Sequence, residues 1–246
     1  MFGESLIDAQ SLVVAYNDRT IVAVDHIDLK VSGGQVLGIL GGNGAGKTST
    51  LRTFGGIVPP TEGVLQIAGF DMTTVGGAEQ VRQVVGYCPD TGGLIRQATI
   101  REHIGVALAL RGRVEQWAYA LQLVEQFDLT AVLDRETGGF SHGMSRRLSV
   151  LLAALTAEKV LILDEPFDGV DPMGVAATET IIRGAAAAGL TVVVSTHLLS
   201  LLVQVSDRIC VMNRGRLVAD DLASAFSGVD GKDRYAHLLT ERGREL

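Results

Sequence analysis

The stretch GGNGAGKT at residues 41–48 constrains the fold of this chain more than any other feature. It follows QVLGIL at residues 35–40, a continuous apolar run of the kind that forms a buried parallel strand. Glycine at 41, 44 and 46 lets the backbone turn tightly, so that successive N–H groups and the start of a following helix point at phosphate oxygens. A strand, a glycine-rich turn and a helix in this order predict a phosphate-binding loop.

The loop fits the pattern G-x-x-x-x-G-K-[ST] in full, and its side chains have expected roles. Lys47 is expected to reach the β- and γ-phosphate oxygens as a compact cation and to take part in catalysis. The Thr48 hydroxyl is expected to coordinate Mg²⁺. The other residues of the loop that are predicted to bind the nucleotide are Gly41, Asn43, Gly44, Ala45, Gly46 and Ser49.

A second motif, LILDEP at residues 161–166, places two carboxylates at the end of an apolar strand. Asp164 would face the nucleotide crevice that forms at the carboxyl ends of parallel strands. There it can hold Mg²⁺ through water, as the second carboxylate of phosphoryl-transfer sites does. Glu165 lies one residue further and can polarise an attacking water. The alternative is that the two carboxylates merely cap the next helix.

The rest of the sequence argues against several classes of nucleotide-binding protein. The chain contains no Asn-Lys-x-Asp stretch for guanine, and no Asp-x-x-Gly follows the second motif as it would in a GTPase. It also lacks the cluster of basic lid residues typical of small-molecule kinases. A formal net charge of −7 argues against nucleic acid as the main partner, and therefore against helicases. Arg146–Arg147 is a small local basic patch.

The order of the apolar patterns predicts an α/β fold: a P-loop NTPase core with a mostly parallel sheet, an N-terminal antiparallel β subdomain and an inserted α-helical subdomain. Strands are expected at 13–16, 24–31, 35–40, 64–67, 81–87, 159–166 and 191–197, with a hairpin at 208–220. Helices are expected at 48–54, 99–112 and 114–129, after residue 172, and in the polar last twenty-odd residues.

These patterns predict a single domain with three parts. The nucleotide-binding core takes about 1–90 and 157–220, the helical subdomain 91–156 and a C-terminal tail 221–246. The longest apolar stretches fall short of about 18 residues, so we expect no transmembrane helix, and the N-terminus lacks the apolar region of a secretory signal. Cys88 and Cys210 lie in or beside apolar runs and are expected to be buried free thiols.

Residues 139–155, GFSHGMSRRLSVLLAAL, place a serine and a glycine just before a basic, amphipathic helix. Taken alone, this stretch also fits an ordinary helix capped by Ser141. Its place between the phosphate loop and LILDEP makes it resemble the signature helix of ATP-binding cassette (ABC) proteins, which usually begins LSGGQ. On these three motifs, residues 8–220 resemble the nucleotide-binding domain of an ABC transporter.

The resemblance implies roles for several further residues. Tyr16 lies where an aromatic ring stacks on adenine. VGYCPD at 85–90 resembles the loop that joins the core to the helical subdomain and touches the membrane partner, and its Asp90 is expected to contact the nucleotide and the metal. GVDP at 169–172 resembles the loop that crosses the dimer interface. His197, in STH after a strand, is the expected switch that contacts the γ-phosphate.

The resemblance also implies a head-to-tail dimer with a second ABC ATPase subunit, identical or different. One subunit binds Mg²⁺ and ATP, and the other presents Ser141 and Gly143 to the γ-phosphate, so hydrolysis should depend on closure. Glu165 would orient or activate water, and His197 would hold that water and sense the phosphate. Together with Lys47, these are the expected catalytic residues.

Three positions depart from the usual family pattern. Asp90 stands where most members have Gln, His142 replaces the first signature glycine and Met144 replaces the usual Gln. Asp90 and Met144 favour the branch that exports drugs and polymers. His142 could crowd the opposite nucleotide or donate a hydrogen bond to its phosphate, and the sequence leaves both open.

The expected protein is therefore an ATPase subunit at the cytoplasmic face of the cell membrane. It would drive a separate integral membrane permease, for export, and would dock on it through residues 91–112. One alternative is a soluble ABC ATPase that acts on a ribosome, DNA or a protein assembly. The other is a binding module that has lost hydrolysis.

Overall fold

The structure of the protein is a computed structural model that describes residues 4–91 and 93–241. The strands in this part of the chain are β1 Ser5–Tyr16, β2 Ile21–Ser32, β3 Val36–Leu40, β4 Glu62–Ile67, β5 Phe70–Asp71, β6 Val85–Cys88, β7 Val160–Asp164, β8 Thr191–Thr196, β9 Arg208–Asn213 and β10 Arg216–Leu222. The α-helices are α1 Lys47–Phe54, α2 Gly77–Val84, α3 Ile100–Leu110, α4 Trp117–Gln126, α5 His142–Thr156, α6 Pro172–Ala187, α7 Leu199–Val205 and α8 Gly228–Glu241. Residues 1–3, residue 92 of the predicted docking segment and residues 242–246 of the predicted tail lie outside the described residues.

The strands form two sheets. The first has four strands in the order β2-β1-β4-β5, and β1 pairs antiparallel with both of its neighbours. This confirms the predicted antiparallel β subdomain. β1 starts at Ser5, well before the strand predicted at 13–16. Register shifts between Ala9 and Leu12 explain the difference, because each bulge interrupts the two-residue alternation from which a strand is recognised.

The second sheet has six strands in the order β10-β9-β3-β8-β7-β6. β3, β6, β7, β8 and β9 run parallel to one another, and β10 pairs antiparallel with β9 at one edge. Every residue of β3, β7 and β8 is buried, as expected for parallel strands covered on both faces. The mostly parallel core sheet predicted from the apolar runs is confirmed.

This sheet lies between two hydrophobic cores. On one face, alternate strand residues such as Leu163 and Val194 pack against α3, α4, α5, α6 and α7. On the other face, residues such as Ile162 and Val193 pack against α1 and the antiparallel sheet. The carboxyl ends of the parallel strands are thereby held rigidly at one edge of the molecule.

The strand predicted over 81–87 is wrong in its first half. Residues up to Val84 belong to α2, and β6 begins at Val85. Val81, which is completely buried, and Val84 are spaced by three, which fits one face of a helix. The valine that starts β6 follows at once, so a short helix and a short strand appear in the sequence as a single apolar run.

Arg146 and Arg147 do not form a basic surface patch, so that interpretation is wrong. Their exposed fractions are 2% and 8%, and their guanidinium groups donate hydrogen bonds to backbone carbonyls of neighbouring loops. Both cysteines are buried free thiols, as predicted. Burial raises the pKa of the Cys88 thiol to about 12. No helix within residues 4–91 and 93–241 is long and apolar enough to span a membrane.

Candidate functional site

An open cleft of about 630 Å³ lies at the carboxyl ends of the parallel strands. The loop after β3 forms its floor, while Asp90, Glu165 and His197 follow β6, β7 and β8 around its edge. Parallel α/β sheets bind their ligands at this edge because the connecting loops converge there. The residues that line the cleft are Tyr16, Ile21, Val22, Ala23, Gly42, Asn43, Gly44, Ala45, Gly46, Lys47, Thr48, Ser49, Asp90, Glu165, Asp168 and His197.

The phosphate loop has the backbone that the sequence predicts. Gly44 and Gly46 adopt φ values of +77° and +103°, which residues with a Cβ rarely adopt. A Cβ on Gly46 would also lie 2.4 Å from the carbonyl oxygen of Ala23. α1 begins at Lys47, so its unpaired N–H groups and its positive dipole end face the cleft and favour an anion.

Lys47, Glu165 and His197 form one chain of contacts across the cleft. The Lys47 ammonium lies 3.1 Å from Glu165 Oε1, and His197 Nδ1 lies 3.1 Å from Glu165 Oε2. Lys47 also donates to the carbonyl oxygen of Gly41 at 2.8 Å. Lys47 and His197, which were predicted to be catalytic and follow separate strands, therefore both contact the carboxylate of Glu165.

Glu165 is held in a strained backbone conformation. Its φ of +48° lies in the left-handed region, which costs a non-glycine residue of order 1–3 kcal/mol and persists where the surroundings enforce it. The Glu165 N–H donates to the backbone oxygen of Ser195 at 3.1 Å and to its Oγ at 3.1 Å. β8 thus fixes the turn that aims the Glu165 carboxylate into the cleft.

Asp164 is completely buried beside this turn. The Ser195 hydroxyl donates to Oδ1 at 2.6 Å, and among the described residues Oδ2 has no hydrogen-bond partner. Burial raises the pKa of the Asp164 carboxyl above its ordinary value of 3.8, and the hydrogen bond from Ser195 and the nearby hydroxyl of Thr48 oppose the rise. A buried carboxylate oxygen without a partner is costly unless a cation completes its surroundings.

This arrangement fits Mg²⁺. The ion needs hard oxygen ligands, keeps several waters and uses one or two protein groups plus substrate phosphates. The bare Asp164 oxygen and the neighbouring Thr48 hydroxyl supply such groups. Within the part of the chain that the structure describes, no cluster of three or more His, Cys, Asp or Glu residues could hold a metal alone. A phosphate-bound Mg²⁺ requires no such cluster.

Arg146 connects the signature helix to two of the strand ends. Its guanidinium donates to the backbone oxygens of Pro89 (2.7 Å), Asp90 and Asp164 (3.3 Å), and lies 3.5 Å from the Asp90 carboxylate. Asp90 itself lines the cleft and is partly exposed. Sequence reasoning missed the role of Arg146; the available signal was a pair of arginines directly before the apolar part of this helix.

Tyr16 closes the cleft on the side of the antiparallel sheet. Its hydroxyl lies 3.2 Å from the Oγ of Ser49, and the half-exposed side chains of Ile21 and Val22 lie on the same wall. An aromatic ring beside exposed aliphatic groups is a suitable surface for a flat, apolar base.

The signature residues lie elsewhere. Ser141 caps α5 by accepting a hydrogen bond from the Met144 N–H at 3.2 Å, and neither Ser141 nor Gly143 is among the described residues that line the cleft. Gly143 packs closely on the loop that follows β7. A Cβ on Gly143 would lie 2.8 Å from the backbone oxygen of Gly169. The structure thus brings the phosphate loop, Asp90, Asp164, Glu165 and His197 together, but not Ser141 and Gly143 of the same chain.

Asp168 is a cleft residue that sequence reasoning missed. It lies three positions after Glu165 and lines the same wall. Its carboxylate contacts His142 Nε2 at 3.2 Å, so the residue that replaces the first signature glycine contacts the cleft wall of its own chain. A third acid so close to the carboxylate pair was the available signal.

Comparisons with known proteins agree with this geometry. A protein-family model described as ABC transporter matches residues 24–168. The daunorubicin resistance ATP-binding protein DrrA3 of Streptomyces coeruleorubidus is 34% identical over 237 residues, which cover 93% of this chain and 72% of the relative. The Nod factor export ATP-binding protein I of Burkholderia orbicola is 33% identical over 222 residues, covering 89% and 72%. A solved ATP-binding subunit of an ABC transporter superposes with a TM-score of 0.86 at 26% identity, covering 95% and 99%.

Proposed function

This chain belongs to the ABC transporter family and is an ATPase, and we propose that it drives a separate membrane permease, in the direction of export. The observation that carries the hydrolytic part of this proposal is the contact chain Lys47–Glu165–His197 at the carboxyl ends of the parallel strands. It joins a phosphate-binding cation, a candidate base and a candidate sensor in one cleft. A module that only binds nucleotide has no use for the pairing of Glu165 with His197.

ATP would bind along the floor of the cleft. Lys47 and the N–H groups of the phosphate loop, from Gly41 to Ser49 and including Asn43 and Ala45, would hold the phosphates. Tyr16 would contact the adenine ring. Thr48 and Asp164 would hold Mg²⁺, with Asp90 close by, and the bound ion would neutralise charge on the transferred phosphoryl group.

Glu165 would orient and polarise the attacking water, and His197 would hold that water near the γ-phosphate. In the structure Lys47 and Glu165 are paired at 3.1 Å, so each neutralises the other. A γ-phosphate that draws Lys47 away would leave Glu165 as a free base. ATP binding itself would thereby activate the carboxylate. Until ATP is present, the ion pair with Lys47 would keep the carboxylate unreactive.

A second copy would complete the site. Ser141 and the exposed N-terminus of α5 are suited to bind an anion, because the helix presents its positive end there. They lie outside the cleft of their own chain, which leaves a partner's ATP as their target. We propose a head-to-tail dimer in which Ser141 and Gly143 of each subunit contact the γ-phosphate of the other. The partner subunit is either identical or a close relative.

The permease and the direction of transport rest on the relatives and on sequence. The relatives named above are an ATP-binding protein of daunorubicin resistance and one of Nod factor export. Asp90 and Met144 fit the same exporter branch. We propose a peripheral position at the cytoplasmic face of the membrane, with docking through residues 91–112, where Ile95, Val106 and Leu110 are exposed. An acidic net charge gives no reason to expect nucleic acid.

We also propose that the whole chain is one ABC ATPase domain with the division predicted above. Residues 1–90 and 157–220 would form the nucleotide-binding core, and 91–156 the helical signature subdomain. Residues 221–246 would form the tail. Buried Arg146 fits this division, because its guanidinium donates to the backbone oxygens of Pro89 and Asp164 and so fixes the helical part to loops of the core.

The test is capture of partners with a trapped subunit. Tagged Glu165→Gln protein with Mg-ATP should hold the closed dimer and any permease together during detergent extraction, and mass spectrometry should identify a multi-span membrane protein. Lys47→Ala, which cannot hold the phosphates, is the matched control and should capture none. Recovery of ribosomes or another soluble assembly in place of a membrane protein would favour a non-transport ABC ATPase.

A further inference from the structure

Within residues 4–91 and 93–241, three carboxylates line the cleft in which a polyphosphate is proposed to bind. They belong to Asp90, Glu165 and Asp168. Like charges in a shared cleft repel, and the repulsion weakens nucleotide binding unless each carboxylate is paired. Glu165 is paired with Lys47 and His197, and Asp90 lies 3.5 Å from the buried guanidinium of Arg146.

Asp168 has a different kind of partner. Its Oδ2 lies 3.2 Å from Nε2 of His142, 26 residues away in the sequence. The imidazole also packs on the loop, where a Cβ on Gly169 would come within 2.4 Å of His142 Cδ2. A larger residue at 169 would therefore displace the imidazole from this position.

We infer that His142 is a positioning residue that holds the Asp168 carboxylate through a hydrogen bond at the wall of the ATP cleft. The inference rests on the proposed ATP site. It explains why the histidine stands in place of the usual signature glycine: a glycine there would leave Asp168 unpaired beside the phosphates. His142 needs no contact with the nucleotide of its own chain for this role.

The expected effect is moderate. The two side chains are 59% and 54% exposed, so water screens the interaction. His142→Gly should raise the KM for Mg-ATP by roughly three- to tenfold with little change in kcat, because the lost partner affects binding and not the chemical step. Asp168→Asn removes the charge and should lower the KM slightly.

The decisive variant is the double substitution. His142→Gly with Asp168→Asn should return the KM to the wild-type value or below, because the charge that needed compensation is gone. His142→Gln, which keeps a hydrogen-bond donor, should lie between wild type and His142→Gly. Direct titration with ATP and ADP should show a larger effect on ATP, which carries more negative charge. Asp134→Asn is the control: its exposed pair with Arg101 is not part of the cleft wall.

Each other outcome overturns the inference. An unchanged KM in His142→Gly would mean that Asp168 needs no partner. A raised KM that Asp168→Asn does not rescue would mean that His142 acts on the nucleotide itself, for example across the dimer. Thermal melting of all variants, expected to stay close to wild type because both side chains are half-exposed, excludes misfolding as the cause. A wild-type protein that binds no Mg-ATP would instead refute the proposed function.

Discussion

The ammonium of Lys47 lies 3.1 Å from Oε1 of Glu165, so the lysine of the phosphate loop and the carboxylate that follows β7 form an ion pair across the cleft. The lysine is almost fully buried and Glu165 is mostly so. A contact of this kind is strong when both groups are shielded from water, and it must break before either group can act on ATP.

Replacing Glu165 tests this pairing. Glu165→Gln should lower kcat for ATP hydrolysis by roughly 100-fold or more, because the candidate base is lost. It should also tighten ATP binding, since Lys47 no longer has a competing carboxylate. Steady-state hydrolysis and equilibrium titration measure the two effects. Glu158→Gln, which alters an exposed pair with Arg113, should change neither. A Glu165→Gln protein that hydrolyses ATP at the parent rate would exclude Glu165 as the catalytic carboxylate.

Asp164 should stabilise the ion-bound site and destabilise the protein without Mg²⁺. Because burial raises its folded-state pKa, ionisation carries a penalty that is absent below the ordinary value of 3.8. The penalty grows as the pH rises from 3.8 toward the raised pKa, and it is complete above that raised pKa. At pH 7, without nucleotide or Mg²⁺, Asp164→Asn should raise the free energy of unfolding by about 1 kcal/mol while abolishing hydrolysis.

The pH dependence of the unfolding free energy provides the check. The gain from Asp164→Asn should disappear as the pH falls toward 3.8. Asp134→Asn should instead lower the free energy of unfolding, and this loss should shrink as the pH falls through the lowered pKa of Asp134. The reason is that the pair with Arg101 lowers the pKa of Asp134, so the charged carboxylate stabilises the folded state. A gain in Asp164→Asn that is independent of pH would show that the effect is not electrostatic.

The backbone of the phosphate loop predicts different outcomes for two of its glycines. Gly46→Ala should abolish ATP binding and lower the free energy of unfolding by about 1–3 kcal/mol, because it combines a positive φ with a clash on Ala23. Gly42→Ala introduces a Cβ with no atom within 4 Å. Chemical denaturation should place this second variant within about 0.5 kcal/mol of wild type. Equal losses for both variants would contradict the loop geometry.

Arg146 should matter for both stability and turnover. Arg146→Met should cost about 3 kcal/mol of unfolding free energy, because it leaves buried carbonyls and the Asp90 carboxylate without their donor. Turnover should fall as the loop at Asp90 loses its position. Urea denaturation and ATP hydrolysis measure the two effects. Arg101→Met, which breaks an exposed pair, should cost far less, because water screens that pair. If Arg146→Met lowered the free energy of unfolding as little as Arg101→Met does, water would have to replace the guanidinium of Arg146.

Much of the site could be predicted from local sequence. The strand, turn and helix around Lys47 depend on residues close together in the chain, and the glycines that the loop needs are visible in it. The same holds for Asp164 and Glu165 at the end of an apolar strand, and for His197 after another. Because the ends of neighbouring parallel strands meet at one edge, three separate motifs indicated one cleft.

Other features could not be predicted in this way. The boundary between α2 and β6 lies inside one apolar run, and only packing assigns Val81 to a helix face and Val85 to a strand. Bulges in β1 conceal its first half because they break the alternation that marks a strand. In each case several backbone conformations suit the local pattern, and contacts with distant residues select one.

The sequence by itself determined the chemistry of the phosphate loop and the carboxylate strand, since both follow from residue type and short-range geometry. Only the tertiary structure decided how the signature helix relates to that site. It turned Arg146 from an apparent surface charge into a buried link to two strand ends, and it placed His142 on Asp168. The physical reason is that these contacts join residues far apart in the chain, whose distance is set by the packing of α5 on the parallel sheet.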